Sequence, residues 1–171
     1  MNPAFLPVRI AVLTVSDTRT ANTDSSGAWL AAAIQGAGHA LAARAIVPDD
    51  VREIGAAVQS WIDDPAVDVV ITTGGTGLTG RDVTPEAVAP LFDKVIEGFA
   101  IVFHTISFQS VGLSTIQSRA CAGVAKDTFV FCLPGSRGAV RDGWEKVIVH
   151  QLDARTRPCN LVAIMPRLGE R

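Results

Sequence analysis

The chain predicts an α/β fold with a mostly parallel central sheet and helices on both sides, and three observations point to it. Short apolar runs of strand length recur at Arg9–Val15, Ala40–Val47, Val67–Thr72 and Asp127–Leu133. Stretches with apolar residues at helical spacing separate the first three runs, giving a βαβαβ alternation. The runs are apolar throughout rather than at every second position, which implies strands covered on both faces. Right-handed crossovers between such strands build a parallel sheet between helices.

The first helix is expected in "SSGAWLAAAIQGAGH", where Leu30, Ala33, Ile34 and Ala37 share a face and Gly36 and Gly38 mark the stop. Val51, Ile54, Val58, Trp61 and Ile62 define the second, with Asp49 or Asp50 as its N-cap. After the third strand comes "TTGGTGLTGRDVTPEA", a glycine-rich loop that runs into a helix start. There Thr84 can cap, Pro85 suits the first helical position, Glu86 favours the positive end of the dipole, and Pro90 breaks the helix soon after. Further helices are expected over Val95–Phe108 and Val140–Leu152, while the tail from Ala154 is too interrupted by proline to assign. No internal repeat, linker or low-complexity segment divides the sequence, so residues 1–171 read as one domain.

At 171 residues and 48% hydrophobic, with a mean hydropathy of +0.30, the chain has ample material for one core. Its net charge of -2 comes from interspersed charges without a basic stripe, which argues against a nucleic-acid or membrane-surface partner and for a small ligand. Cys121, Cys132 and Cys159 are odd in number and contain no C-x-x-C pair, so they read as reduced thiols. The N-terminal stretch lacks a charged region followed by a long apolar run, and no segment reaches about 18 uninterrupted apolar residues, which together predict a cytoplasmic address. Apolar residues on more than one face of Phe99–Phe108 predict a subunit contact.

Ligands of an open parallel sheet bind beyond the carboxyl ends of its strands. Those ends carry Ser16 and Asp17, then Asp49, then Thr73 to Asp82, and finally Pro134, Gly135 and Ser136. Gly75, Gly77 and Gly80 satisfy G-x-G-x-x-G, yet the context of a dinucleotide site is missing. The loop follows the third strand rather than the first, Pro85 places the helix start beyond Gly80, and the acid further on, Glu97, lies in a helical stretch. No Gly-Lys-Ser/Thr follows to make a Walker A loop. What remains is backbone chemistry: glycines let successive N–H groups converge on one anion, phosphate above all. A tight turn that binds nothing is the competing reading. Asp82 beside such a cradle calls for a cation between carboxylate and phosphate, and Mg²⁺ is held by one or two carboxylates together with phosphate oxygens. Asp49 is the candidate second acid, though either aspartate could instead cap a backbone turn. Arg81 and Arg119 could pair with phosphates or with surface acids. His39, His104 and His150 are scattered, and His104 on an apolar helix reads as a packed residue. Ser118 with Arg119 forms a polar step in apolar surroundings, and no G-x-S-x-G supports acyl transfer.

"TTGGTGLTGRDVTPEA" resembles the signature loop of the molybdenum cofactor biosynthesis proteins of the MoaB/MogA family. "IVPDD", "STIQSRACAGV", "LPGS" and "QLDARTRPCN" follow in the family's order, the last resembling the MoaB branch, and the similarity covers essentially the whole chain. The resemblance implies a three-layer αβα domain that assembles into trimers or hexamers. It further implies binding of molybdopterin and, in active members, transfer of AMP from Mg-ATP to the pterin's terminal phosphate with release of pyrophosphate. By motif, Asp49 and Asp82 would be the catalytic and metal-binding acids, with Asp50 adjacent to Asp49. Gly74, Gly75, Thr76 and Gly77 would contact the ligand, with Ser118, Arg119 and Pro134 to Ser136 as supporting wall and Ser16, Asp17 and Thr73 beside them. Adenylyl transfer to a phosphate that is already ionised needs no histidine base; it needs alignment and charge neutralisation.

Overall fold

The computed structural model describes residues 3–170; Met1, Asn2 and Arg171 lie outside the described residues. Six strands form one sheet: β1 (Arg9–Val15), β2 (Ala40–Val47), β3 (Val69–Thr73), β4 (Lys94–Val95), β5 (Cys121–Ala125) and β6 (Thr128–Leu133), in the order β2-β1-β3-β6-β5-β4. The first four in that order run parallel, while β5 is antiparallel to β6 and β4 to β5. The four long strands coincide with the predicted runs to within two residues. The two-strand antiparallel extension is an addition, and it corrects the expected helix over Val95–Phe108: Val95 pairs with Gly123, and the helix starts at Glu97.

Helices α1 (Ser25–Gly36), α4 (Glu97–Val111) and α5 (Arg137–Gly143) cover one face, and α2 (Val51–Ile62) and α3 (Thr84–Val88) cover the other. Alternate residues of β1 serve the two layers: Ile10 and Val12 belong to the core cluster that holds Leu30, Ile34 and Phe103, whereas Ala11, Leu13 and Val15 belong to the one that holds Ile54 and Val58. Burial on both faces explains why β1, β3 and β6 are predominantly apolar at consecutive positions. β2 departs from that expectation. As an edge strand it alternates exposed and half-buried positions, and its apolar character comes largely from alanines that bury little.

Asp24 caps α1 and Asp50 caps α2, its Oδ1 accepting from the N–H groups of Arg52 and Glu53. Thr84 does not cap as expected. It is the first residue of α3, and its hydroxyl donates instead to the Gly74 carbonyl at 2.8 Å. Pro90 ends α3 as predicted, turning the chain into a short 3₁₀ segment at Ala89–Leu91. After α5 the last long helix passes through a π-helical turn at Trp144–Ile148 into α6 (Val149–Gln151).

α4 continues through a 3₁₀ turn to make a helical stretch Glu97–Gln117 of 21 residues, with mean hydropathy 1.4 over an 18-residue window. By length and composition alone it could cross a membrane, although His104, Thr105, Ser107 and Gln109 interrupt its apolar run. Phe99, Phe103 and Ser107 pack it onto the sheet, and Ile101, Phe108, Val111, Leu113 and Ile116 stay exposed.

Candidate functional site

All four parallel strands deliver their carboxyl ends to one rim. β1 and β3 lie side by side there, and the connections from them depart in opposite directions along the sheet: β1 leads to β2 at the edge, and β3 leads towards β6. This is the switch point where such sheets open a crevice.

The glycine loop begins at Gly74, whose N–H donates to the Leu133 carbonyl at 3.0 Å. Gly74 and Gly75 have φ of +101° and +67°. A Cβ at Gly74 would stand 2.2 Å from the Val15 carbonyl oxygen, and one at Gly75 would stand 2.3 Å from Thr84 Oγ1. Backbone packing thus demands both glycines whatever the loop binds. Gly77 lies against the Asp82 carboxylate, while nothing lies near Gly80. The loop does not open a helix, so the literal G-x-G-x-x-G remains without its dinucleotide context.

Asp49 and Asp82 flank this loop. Asp49 Oδ1 would be 3.1 Å from a Cβ on Gly75, and Asp82 Oδ2 would be 2.7 Å from one on Gly77. Thr79 Oγ1 and its N–H donate to Asp82 Oδ2 at 2.6 and 3.0 Å, and these bonds, with that of the Gly77 N–H, hold the Asp82 carboxyl below its usual range. Asp49 is shifted the other way: partial burial and the neighbouring Asp17 charge push its carboxyl up. Asp50 is spent on its cap, which leaves Asp49 as the member of "VPDD" facing the loop.

Asp17 and Asp49 exchange backbone bonds: the Asp17 N–H donates to Asp49 Oδ2 at 3.1 Å, and the Asp49 N–H to Asp17 Oδ1 at 3.0 Å. Arg81 grips Asp17 with Nε at 2.9 Å and Nη2 at 2.7 Å, holding the Asp17 carboxyl down. Arg119 is likewise engaged within the protein. Its Nε donates to the Gly77 carbonyl, its Nη2 to the Asp82 carbonyl, and its guanidinium pairs with Glu86, while its backbone N–H donates to Thr76 O. Arg119 therefore underpins the loop from behind rather than standing free in its mouth.

An open cleft of about 490 Å³ gathers Gly74, Gly75, Thr76, Gly77, Asp82, Ser118, Pro134, Gly135 and Ser136 from the predicted set, and adds Ser114 and Gln117. Both additions lie on the 3₁₀ turn after α4, where polar residues within an apolar stretch were the available signal. Ser136 caps α5, directing that helix's N-terminus to the cleft. A smaller hollow of about 90 Å³ sits beside it at the switch point, lined by Ser16, Thr73 and Gly135 with Thr14, Val15, Arg19, Asp24 and Ser26. Asp24 in its wall belongs to an ion pair that sequence reading missed: the buried carboxylate accepts from Arg44 Nη2 at 2.8 Å and Thr14 Oγ1 at 2.7 Å. An aspartate ahead of "SSGAWL" signals the cap but not the long-range pair.

Among the described residues no group of three His, Cys, Asp or Glu is placed to hold a metal ion. A cation between Asp49 and Asp82 would have to complete its shell with ligand and water oxygens, the usual habit of Mg²⁺. The histidines stand apart. His104 spans the carbonyls of Ala100 and Ser118, and His39 is buried beside Phe5 and Trp144.

Fold and rim together define a class: an α/β protein with a candidate small-ligand cleft at the carboxyl edge of a parallel sheet, built on a glycine loop between two aspartates. Residues 11–154 match the family profile described as "Probable molybdopterin binding domain". The chain belongs to this family, that of the molybdenum cofactor biosynthesis proteins of MoaB/MogA type. It is 53% identical over 156 residues to molybdenum cofactor biosynthesis protein B of Escherichia coli K12, covering 91% of this chain and 92% of the relative. To the Bacillus subtilis protein of the same name it is 44% identical over 146 residues, 85% of this chain and 86% of the relative. A crystal structure of molybdenum cofactor biosynthesis protein B superposes with a TM-score of 0.88 at 41% identity, covering 99% of this chain and 100% of that one. The tungsten cofactor synthesizing protein MoaB from Pyrococcus furiosus superposes with a TM-score of 0.78 at 34% identity, covering 96% and 98%.

Proposed function

We propose that this chain binds molybdopterin at the rim and transfers AMP from Mg-ATP to its terminal phosphate, releasing pyrophosphate. The observation that carries this reading is the placement of Asp49 and Asp82 at the two ends of one glycine loop, beside a cleft of hydroxyls and a capped helix N-terminus. In the transfer, a pterin phosphate oxygen forms a bond to the α-phosphorus of ATP as the bond to the bridging oxygen breaks, and the electron pair leaves with pyrophosphate. The nucleophile is an anion already, so no proton need be removed. The chain's task is to align two polyanions and offset their charge. Backbone donors of the loop and the α5 terminus would bind phosphate oxygens. Asp49 and Asp82 would hold Mg²⁺, which supplies charge neutralisation at the phosphates.

A second reading, a pterin-binding protein of the same pathway without catalysis, has a specific observation in its favour. No Lys or Arg lines the larger cleft among the described residues, because Arg81 and Arg119 are already paired with Asp17 and Glu86. Purified protein incubated with molybdopterin, ATP and Mg²⁺, with Asp82→Asn alongside, separates the two. Adenylylated pterin by mass spectrometry from the wild type only supports transfer; bound but unmodified pterin in both supports the binding protein. The exposed apolar side chains of α4 further support a homo-oligomer, a trimer or hexamer, and we place its work in the cytoplasm.

A further inference from the structure

Two thiols lie behind the glycine loop, outside the cleft. Cys121 opens β5, and the antiparallel register sets it directly opposite Cys132 of β6. Opposed residues in such a pair point to the same face and stand about 4.5–5.5 Å apart at Cα. That is inside the range of about 4.4–6.8 Å that a disulfide spans. Cys132 is wholly buried, while Cys121 is half-buried and reachable from solvent.

The pair is chemically asymmetric. The adjoining Cys132 thiol, and beyond it the Arg119 charge, hold the Cys121 thiol below its ordinary range against the effect of burial. The adjoining Cys121 and complete burial push Cys132 well up. Thr72, the parallel register partner of Cys132, is fully buried, and its hydroxyl has no hydrogen-bond partner among the described residues. A row Thr72–Cys132–Cys121 thus crosses the sheet and ends beside Arg119, the residue that grips the loop carbonyls of Gly77 and Asp82.

We propose that Cys121 and Cys132 form a reversible disulfide modification site whose closure loosens Arg119's hold on the glycine loop. Hydrogen peroxide is the oxidant. The Cys121 thiolate attacks a peroxide oxygen, the O–O bond breaks, and hydroxide leaves, giving the sulfenic acid. Cys132 sulfur then attacks the Cys121 sulfur, the S–O bond breaks, and the departing hydroxide takes the Cys132 proton as water. Closure draws the start of β5 towards β6, two residues beyond the Arg119 N–H that holds Thr76 O. None of this depends on whether the rim transfers AMP.

The test uses the whole chain carrying Cys159→Ser, which removes the exposed thiol. After hydrogen peroxide, alkylation and non-reducing digestion, the expected product is a Cys121–Cys132 cross-linked peptide that dithiothreitol dissolves, absent from Cys121→Ala. Amides of Thr76–Gly80 in the cross-linked protein should exchange with D₂O several-fold faster than in the reduced protein. Two thiols that stay alkylatable, Cys121 driven to sulfinic acid without a cross-link, or unchanged loop exchange after cross-linking would each overturn the proposal. The cross-link and the exchange are read without altering the pair itself, so a poorly folding Cys121→Ala cannot obscure them.

Discussion

Asp49 carries an electrostatic cost in the folded chain. Its carboxyl has an ordinary value of 3.8 and is raised on folding, by burial first and then by Asp17, with Asp82 adding to the repulsion. A raised acid contributes stability that is present below the unfolded value and is lost as pH rises through the folded one. At neutral pH the ionised Asp49 therefore works against folding, while a bound cation would reward the same charge. Asp49→Asn keeps an acceptor for the Asp17 N–H and removes the charge. It is expected to raise Tm slightly at pH 7, by no more than the effect of about 1 kcal/mol typical of half-exposed charges, with the gain vanishing below about pH 4, and to abolish ATP-dependent product. A fall in Tm at pH 7 would show that the carboxylate is not repelled there.

Caps set the division of labour between neighbouring residues at the level of the element. Asp50 Oδ1 satisfies two N–H groups at the start of α2, and Asp49, one residue earlier, is thereby turned to the loop. Asp50→Ala should cost about 1 kcal/mol in denaturant unfolding and leave pterin binding and turnover within about twofold, the mirror image of Asp49→Asn. Loss of turnover in a folded Asp50→Ala would move the second acid to residue 50. The loop is an element of the same kind: Arg119 and Thr84 hold its carbonyls at Gly77, Asp82 and Gly74, leaving its other side to the cleft.

Across the whole molecule the unbalanced feature is the outer face of α4 and of the 3₁₀ turn that follows it. Ile101, Leu113 and Ile116 are 68%, 72% and 70% exposed, and an apolar hollow of about 360 Å³ opens nearby between Phe99, Val102, Phe131 and Leu161. A second copy of the chain covering this face would remove it from water, each side chain so buried contributing about 1.5–3 kcal/mol. Ile101→Asp combined with Ile116→Asp should give a monomer by light scattering at micromolar concentration, with far-ultraviolet circular dichroism unchanged because neither residue packs in the core. Retention of a trimer or hexamer mass would place the contact elsewhere. A wild-type monomer would remove the reason for one.

How far the residues alone reach is clearest at particular places. The long strands were legible because β1, β3 and β6 are buried on both faces and carry no polar side chain larger than threonine among their buried positions, and the rim followed because parallel strands must end on one side. Asp49, Asp82 and the glycines stand out by type and spacing, and their meeting at the rim follows from strand order. What could not be read depended on contacts distant in sequence. β4 has two residues and no pattern of its own, and it is a strand only because Val124 and Gly123 lie beside it. Arg119 looks like a phosphate ligand until Gly77, Asp82 and Glu86, 33 to 42 positions away, are seen to hold it. Gly74 and Gly75 read as an anion cradle, yet the Val15 carbonyl and Thr84 already exclude a side chain there. Local periodicity and residue chemistry specify which elements form and which groups are available for chemistry. Which of those groups remain free is decided by packing across the fold, where a hydrogen-bonding group satisfied by a distant partner is no longer available to a ligand.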